Sequence, residues 1–502
     1  MKDLKQRTIR GGLARLCGQA ADFVLRFASL IVMARLLEPA DFGLVAMVTA
    51  ITGFYALFVS AGLSAPTIQA PSITDQQLST LFWINILVGT ILAVLCLITA
   101  PILVKFYGEP RLFWVTVTIA TGFIINAAAV QHSAILQRHM RHITLTVIET
   151  LSQLAAVLVG VILAVRGFGY WAIVAATTTS PVVYAIGVWG ATRWIPGPPQ
   201  RGVQIRPMLR FGGTLMLNSV VVYVGYNLEK VLIGRLWGAD VLGLYGRAYQ
   251  LIRFPTDGLN VAVGGVAFSA LSRLQNEPAR FRSYFLKGYC LVNSLTLPTT
   301  IFCALFGDDI IAVCLGPKWT DAASIFRLLT PTVMVFGMIN PLLWLLLPLG
   351  LYGRGFRIAL VLAPLVIVAV VIGLPYGPTG VALAYSAAMT LWLVPHIFWC
   401  LHGTPISPRD LLSAISGPLI AAAVAAALSF AAQFYLDQLT SPLLRLALGG
   451  GVMAVTYLSL LLLITGQDSP YLDTLRGLKG ASDAGEPRAG SMFHDRPSGR
   501  DI

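Results

Sequence analysis

The chain has 502 residues, 56% of them hydrophobic and only 11% charged, with a mean hydropathy of +0.77. Soluble globular proteins run near about 25% charged, so these figures exclude a soluble multidomain enzyme, a disordered scaffold and a secreted disulfide module. The net charge of +13 implies no nucleic-acid partner: Lys and Arg recur between apolar runs, as loops facing a cytoplasm do.

The class is an all-α integral membrane protein whose solvent is the lipid bilayer. A span needs about 20 apolar residues, and fourteen candidate helices follow one another along the chain. The first covers 12–34. The basic segment before it (Lys2, Lys5, Arg7, Arg10) mimics a signal peptide, but Arg15, Asp22 and Arg26 interrupt the apolar stretch and no small-residue cleavage site stands out. It is read as a retained helix. Arg15, Gln19, Asp22 and Arg26 are spaced by 4, 3 and 4 residues, which places them on one helical face. Asp22 and Arg26 are spaced to pair. A charge in the bilayer is costly unless it is paired or faces water, so this stripe is expected to line a wet cavity or to meet another polar helix.

Helices at 42–65, 80–104, 112–132, 146–165 and 169–190 complete the first six. Glu149, near the start of the fifth, suits a cap or an interface as well as a function. The seventh, 211–234, carries Ser219, Tyr223, Asn227 and Lys230 at steps of 4, 4 and 3, with Glu229 alongside and Tyr226 one turn before Lys230. The eighth, 241–270, adds Arg247, Gln250, Arg253 and Asp257, the last two spaced to pair; Arg247 equally suits snorkelling at the interface. Spans at 286–305, 323–348, 357–375, 379–400, 411–433 and 446–466 follow. Within the spans six basic residues (Arg15, Arg26, Lys230, Arg247, Arg253, Arg327) outnumber four acidic ones (Asp22, Glu149, Glu229, Asp257). A surplus of cation suits an anionic ligand such as a phosphate, for which Arg is favoured. Tyr223, Tyr226 and Tyr249 offer faces for stacking on sugars, or ordinary packing. Residues 467–502 lack apolar periodicity and read as a disordered tail.

With the amino terminus inside, 22 Lys and Arg lie on the cytoplasmic side against 7 outside, which places both termini in the cytoplasm and requires an even number of spans. Connections are short, the longest external loop being 306–322, so no extramembrane catalytic domain is available. The chain also matches itself at an offset of 200: Arg35-Leu36 with Arg235-Leu236, Gly43-Leu44 with Gly243-Leu244, Phe54 with Phe254. Transporters are often built from such repeats. The expected organisation is a six-helix lobe at 1–200, a second at 201–405, two added helices at 406–466 and the tail. No GxxxxGK[ST], HExxH or GxSxG occurs, the six histidines lack zinc spacing, and none of the six cysteines forms a CxxC. No metal, cofactor or enzymatic centre is expected.

Five segments carry a family resemblance: MARLLEPADFGLV at 33–45, LQRHMR at 136–141, GFGYWA at 167–172, NLEKVLIGRLWGADVLGLYGRAYQLIRFP at 227–255, and CLGPKWTDAASIFRLL at 314–329. The chain resembles the bacterial O-antigen and exopolysaccharide flippases of the multidrug/oligosaccharidyl-lipid/polysaccharide exporter superfamily, over roughly residues 1–465. That resemblance implies a two-lobed bundle of 12 or 14 helices around a central cationic cavity. It implies alternating-access transfer of undecaprenyl-diphosphate-linked oligosaccharide across the bacterial inner membrane, alongside polysaccharide polymerase and export machinery. It places Arg15, Gln19, Asp22 and Arg26, then Tyr223, Asn227, Glu229 and Lys230, and Gln250, Arg253 and Asp257, along the cavity. Where relatives often carry Asn-x-Asp, this chain has Asn227-Leu228-Glu229. A drug exporter of the same superfamily, and a membrane polymerase or ligase of lipid-linked sugars, are the alternatives.

Overall fold

The computed structural model describes residues 2–60, 67–68, 73–199, 206–436 and 441–465. The tail at 467–502 and the side chains of Arg15, Cys17, Ser219 and Tyr226 lie outside the described residues.

Helices α1 (Lys2–Leu36), α2 (Pro39–Ser60), α3 (Asp75–Tyr107), α4 (Leu112–Arg138), α5 (His142–Val165) and α6 (Tyr170–Thr192) make up the first half. The helical stretch Arg206–Arg273 is broken at Gly238, whose φ of 81° and ψ of −177° no helix contains. We number its limbs α7 (206–237) and α8 (239–273). There follow α9 (Pro278–Leu305), a short α10 (Gly307–Cys314), α11 (Ala322–Ile339), a one-turn α12 (Leu343–Leu346), α13 (Tyr352–Gly373), α14 (Gly377–Leu401), α15 (Pro408–Leu436) and α16 (Pro442–Thr465). No strand occurs among the described residues.

The helices outrun the apolar spans because backbone pairing continues into the interface until a cap stops it. At α3, Thr74 Oγ1 accepts from the Gln77 amide at 3.2 Å while Gln77 Oε1 accepts from the Thr74 amide at 3.0 Å, a reciprocal N-terminal box. The same helix ends on Gly108 in the left-handed region, φ 72°, as helix-ending glycines commonly do. The span expected at 323–348 is matched by one apolar run long enough to cross, Ala322–Leu346, within which the helix stops at Ile339, passes through a 3-10 turn at Asn340–Leu342 and restarts. Pro341, which has no N–H to donate, sits in that break.

Ten runs of described residues are long and apolar enough to cross a membrane, one of them, Gly353–Leu401, containing both α13 and α14. Outward-facing apolar residues form stripes at helical spacing: Leu87, Ile91, Ile98 and Ile102 on α3, and Leu391, Val394 and Phe398 on α14, are all exposed. In water such faces would aggregate; in a bilayer they are the lipid contact. The chain is a multi-pass membrane protein.

Neighbouring helices pair as α3 with α4, α5 with α6, α1 with α5, α11 with α14, α13 with α14, and α15 with both α9 and α16. The most extensive helix contact joins α2 to the α7–α8 limbs. There, a Cβ added to Gly43 would lie 1.7 Å from the Ala239 carbonyl oxygen, and one added to Gly243 would lie 1.9 Å from that of Pro39. Each glycine meets the residue 200 positions from the other's partner, so the two halves cross about a local pseudo-two-fold axis. The largest buried core spans the crossing, with Ala34, Leu44 and Met47 packed in one cluster with Tyr245, Phe326 and Tyr385.

Candidate functional site

A cavity of about 500 Å³ opens between α1, α4, α5 and α6. That lies within the roughly 300–1,000 Å³ of small-molecule sites. From α1 come Gln19, Asp22 and Arg26, the polar face read from the sequence. Arg26 Nε donates to Asp22 Oδ2 at 2.7 Å, and the two side chains remain 58% and 36% exposed, so the pair faces open space. From α5 come Thr146, Glu149, Thr150 and Gln153. Asn126 of α4 and Thr177, Ser180 and Tyr184 of α6 complete the polar wall, and the Tyr184 hydroxyl donates to Ser133 Oγ at 2.8 Å. Small residues bring these helices together. A Cβ on Gly18 would lie 1.9 Å from Thr146 Cγ2, and one on Gly187 2.6 Å from Ile148 Cγ2.

The α7–α8 residues form a second polar group. Lys230 Nζ donates to Asn227 Oδ1 at 2.9 Å, Asn227 Nδ2 donates to the Tyr223 carbonyl at 3.0 Å, and the Tyr223 hydroxyl lies 3.1 Å from the Thr49 and Ala50 carbonyls of α2. Glu229 is fully buried, beside Tyr245 and within electrostatic reach of Lys230 and Arg253. Arg253 pairs with Asp257 at 3.2 Å, and its guanidinium lies 5.3 Å from the Tyr249 ring centroid and 5.6 Å from that of Phe336. Gln250 Oε1 accepts from Arg247 Nη1 at 2.6 Å, and that guanidinium sits 3.8 Å from the Phe42 centroid. Tyr249 is buried between Tyr245 and Tyr385, so its ring packs and offers no open face.

The structure therefore divides the residues singled out in the sequence. Gln19, Asp22 and Arg26 share one cavity. Tyr223, Asn227, Glu229, Lys230, Gln250, Arg253 and Asp257 do not line it. Aromatic rings join α1 to α8: Phe254 of α8 lies 4.4 Å from Phe23 and 5.2 Å from Phe27 of α1. Glu149 takes a place in the cavity wall. The uncharged lining of α5 and α6 was not singled out by sequence reasoning. Its signal was present, since Thr146, Thr150 and Gln153 recur at steps of 4 and 3, and Thr177, Ser180 and Tyr184 at 3 and 4, each set on one helical face.

Comparison with known proteins agrees with this architecture. The chain aligns with the lipopolysaccharide biosynthesis protein WzxC of Escherichia coli (strain K12) at 25% identity, over 76% of this chain and 78% of that one. The succinoglycan biosynthesis transport protein ExoT of Rhizobium meliloti (strain 1021) is 23% identical over 93% and 94%. The teichuronic acid biosynthesis protein TuaB of Bacillus subtilis (strain 168) is 28% identical over 58% of this chain, and the alignment spans 60% of TuaB. Among solved structures, the lipid II flippase MurJ in an inward closed conformation superposes with a TM-score of 0.72 at 14% identity, covering 91% of this chain and 99% of MurJ. An inward-facing multidrug resistance MATE transporter gives 0.59 at 15% identity, over 80% and 98%. These two likenesses establish the fold. Residues 32–324 match the family described as polysaccharide biosynthesis protein, and the chain belongs to that family.

Proposed function

We propose that this protein moves a polyprenyl-diphosphate-linked oligosaccharide across the bacterial inner membrane, by alternating access, for cell-surface polysaccharide synthesis. The observation that carries the reading is the cavity faced by the Asp22–Arg26 pair and walled by hydroxyls and amides, inside a bundle of membrane helices. The physical task is to take a polar headgroup through about 30 Å of hydrocarbon while the polyprenyl tail stays in lipid. Neutral donors and acceptors such as Asn126, Gln153, Thr146 and Thr177 suit the hydroxyls of a short saccharide. Arg26 in the cavity, and Lys230 and Arg253 outside it, held by Asn227 and Asp257, offer cations to the diphosphate. The names of relatives that act in lipopolysaccharide biosynthesis and succinoglycan transport support this cargo. Cytoplasmic termini, a division into six-helix lobes near residue 200, and a polymerase and export machinery as partners belong to the same proposal.

The test is leaflet transfer of a fluorescent polyprenyl-diphosphate oligosaccharide in proteoliposomes. Transfer above protein-free vesicles is expected, and its absence in folded, inserted protein removes the reading. The carboxylates of Asp22 and Glu149 in the wall favour a second reading, export of small organic cations. Resistance conferred in a pump-deficient host, without lipid transfer, would select it.

A further inference from the structure

Basic residues on the face where α5, α9 and α13 begin are of two kinds. Arg141 and Arg354 are spent on the protein itself. Arg141 Nη1 donates to the Ala191 carbonyl at 2.9 Å, and Arg354 Nη1 donates to the Cys400 carbonyl at 3.2 Å, each at the end of a helix. The start of α9 is different. Arg280, Tyr284 and Lys287 are all exposed and recur at steps of 4 and 3, so they share one outward face. Leu295 continues that face about 12 Å beyond Lys287, at roughly 1.5 Å per residue, and is 45% exposed. Phe281, Phe285 and Tyr289 are buried on the other side of the helix.

Helix α15 packs on α9, and its register is fixed at both ends. Arg282 Nε and Nη2 donate to the two carboxylate oxygens of Asp410 at 2.9 and 2.6 Å, and Gln433 Nε2 donates to the Leu305 carbonyl at 2.8 Å. Both pins join residues 128 apart, so the helices run parallel from Arg282 to Leu305, about 35 Å at roughly 1.5 Å per residue. Between the pins Ala421, Ala422, Ala425 and Ser429 are buried, small residues that let the helices close on each other. In this register Arg409 is level with Phe281, and Leu412 with Tyr284. Arg409 is exposed and Leu412 is 62% exposed, so α15 starts as α9 does, with a cation followed by apolar surface. Across 273–287 and 407–413, five basic residues (Arg273, Arg280, Arg282, Lys287, Arg409) stand against two acidic ones (Glu277, Asp410). Those two pair with Arg280 and Arg282, which leaves a surplus of positive charge. Two locked helix starts with surplus cation, and alkyl side chains further along, are complementary to a lipid with an anionic phosphate head and acyl chains.

We propose that the starts of α9 and α15 form a binding site for an anionic phospholipid of the surrounding bilayer. Arg280, Lys287 and Arg409 hold its phosphate, and its chains lie over Tyr284, Leu412 and Leu295. The site takes a resident lipid and not the cargo, so it stands or falls apart from the transport reading. Native mass spectrometry of the full chain in detergent reads it, with phosphatidylglycerol titrated against phosphatidylcholine of the same acyl chains. Phosphatidylglycerol is expected to bind at least tenfold more tightly. Arg280→Gln, Lys287→Gln and Arg409→Gln should each weaken it about fivefold and leave phosphatidylcholine unchanged. Arg357→Gln is the control: this exposed cation of the same face donates from Nε to the Gly353 carbonyl of its own helix, and its loss should change neither lipid. Equal binding of the two lipids by the unaltered protein, or an equal loss in Arg357→Gln, overturns the proposal, since either marks diffuse attraction to a basic face. A second readout keeps all the cations. In a chain with its six native cysteines replaced, Tyr284→Cys carries a bimane label in mixed vesicles. Chain-brominated phosphatidylglycerol should quench it several-fold more than brominated phosphatidylcholine, and the preference should shrink as salt rises. Equal quenching by the two lipids at low salt overturns the site.

Discussion

Adding one methyl group at the glycine crossing tests whether α2 and α8 touch backbone to backbone. In Gly43→Ala the new Cβ would stand 1.7 Å from the Ala239 carbonyl oxygen, whereas ordinary contact begins near 3.4 Å, so the crossing must open by about 1.7 Å. The obstacle is backbone, which cannot rotate aside as a side chain does. Overpacking a tight site costs about 1–3 kcal/mol, and this geometry belongs at the upper end. Alanine recovers roughly 0.5–1 kcal/mol of helix preference over glycine, leaving a net loss of about 2 kcal/mol. Gly243→Ala, whose Cβ would stand 1.9 Å from the Pro39 carbonyl oxygen, should cost nearly the same. The two sites share one crossing, so opening it for the first methyl makes room for the second, and the double variant should lose less than the sum. Thermal unfolding of detergent-purified protein, followed by tryptophan fluorescence, reads all three. Gly122→Ala is the control, because a Cβ there meets nothing within 4 Å, and it should be neutral or slightly stabilising. If Gly43→Ala unfolds at the temperature of Gly122→Ala, the close approach is not a feature of the protein.

Arg26→Ala or Lys230→Ala, in protein that still inserts, should abolish polysaccharide export; full export by the double variant would remove both residues from the assigned site. Gln153→Leu with Thr146→Val should weaken protection from thermal unfolding by a soluble oligosaccharide repeat, while polyprenyl diphosphate still protects; equal protection by the saccharide would take it out of this cavity. Arg445→Ala should cost about 1–3 kcal/mol, because its 2.6 Å pair with Asp309 is largely buried, at 25% and 13% exposure. Arg280→Ala, whose partner pair is 72% and 49% exposed, should cost under about 0.5 kcal/mol, and unfolding midpoints compare the two. In the α3–α4 turn, side-chain hydrogen bonds from Arg111 hold the Glu109 carboxyl below its ordinary 4.5. Its contribution is therefore present above pH 4.5 and is lost as pH falls through the lowered value. Exposure limits it to under about 1 kcal/mol, and Glu109→Gln should flatten the acid limb of the stability curve by that small amount.

The polar face of α1 was legible because charge in an apolar helix is conspicuous and the 4-3-4 spacing fixes its side. The α5 wall was harder to read, since Thr146, Thr150 and Gln153 are unremarkable until α1 packs on them. What periodicity cannot supply is the partner of each face. The family resemblance placed the α1 and α7 faces along one cavity. The structure seats α1 on α5, where Gly18 admits the Thr146 methyl. The offset-200 match did locate a physical object: Arg35 and Arg235 end equivalent helices, and Gly43 and Gly243 form one crossing. Arg235 lies 5.6 Å from the Phe106 ring centroid, whereas Arg35 reaches the Val313 carbonyl. The repeat thus preserves the cation and changes its partner, a difference no comparison of the two sequences contains.

The partners of the cationic side chains follow one rule along the length of the bundle. Mid-helix cations find their partners on their own helix, three or four residues away: Arg26 on Asp22, Lys230 on Asn227, Arg247 on Gln250, Arg253 on Asp257. Ion pairs between distant elements lie near helix ends, where Lys318 meets Glu38, Arg282 meets Asp410 and Arg327 meets Asp308. A helix that carries its own counter-group can shift against its neighbour without stripping a charge bare in hydrocarbon, where the cost is greatest. The aromatic contact of Phe254 with Phe23 and Phe27 is likewise non-directional, and rings can slide without leaving a donor unpaired. Under the proposed function, a diphosphate that draws Arg26 or Lys230 away from its helical partner replaces one anionic or amide oxygen with another, so such a cargo would enter without exposing a lone cation.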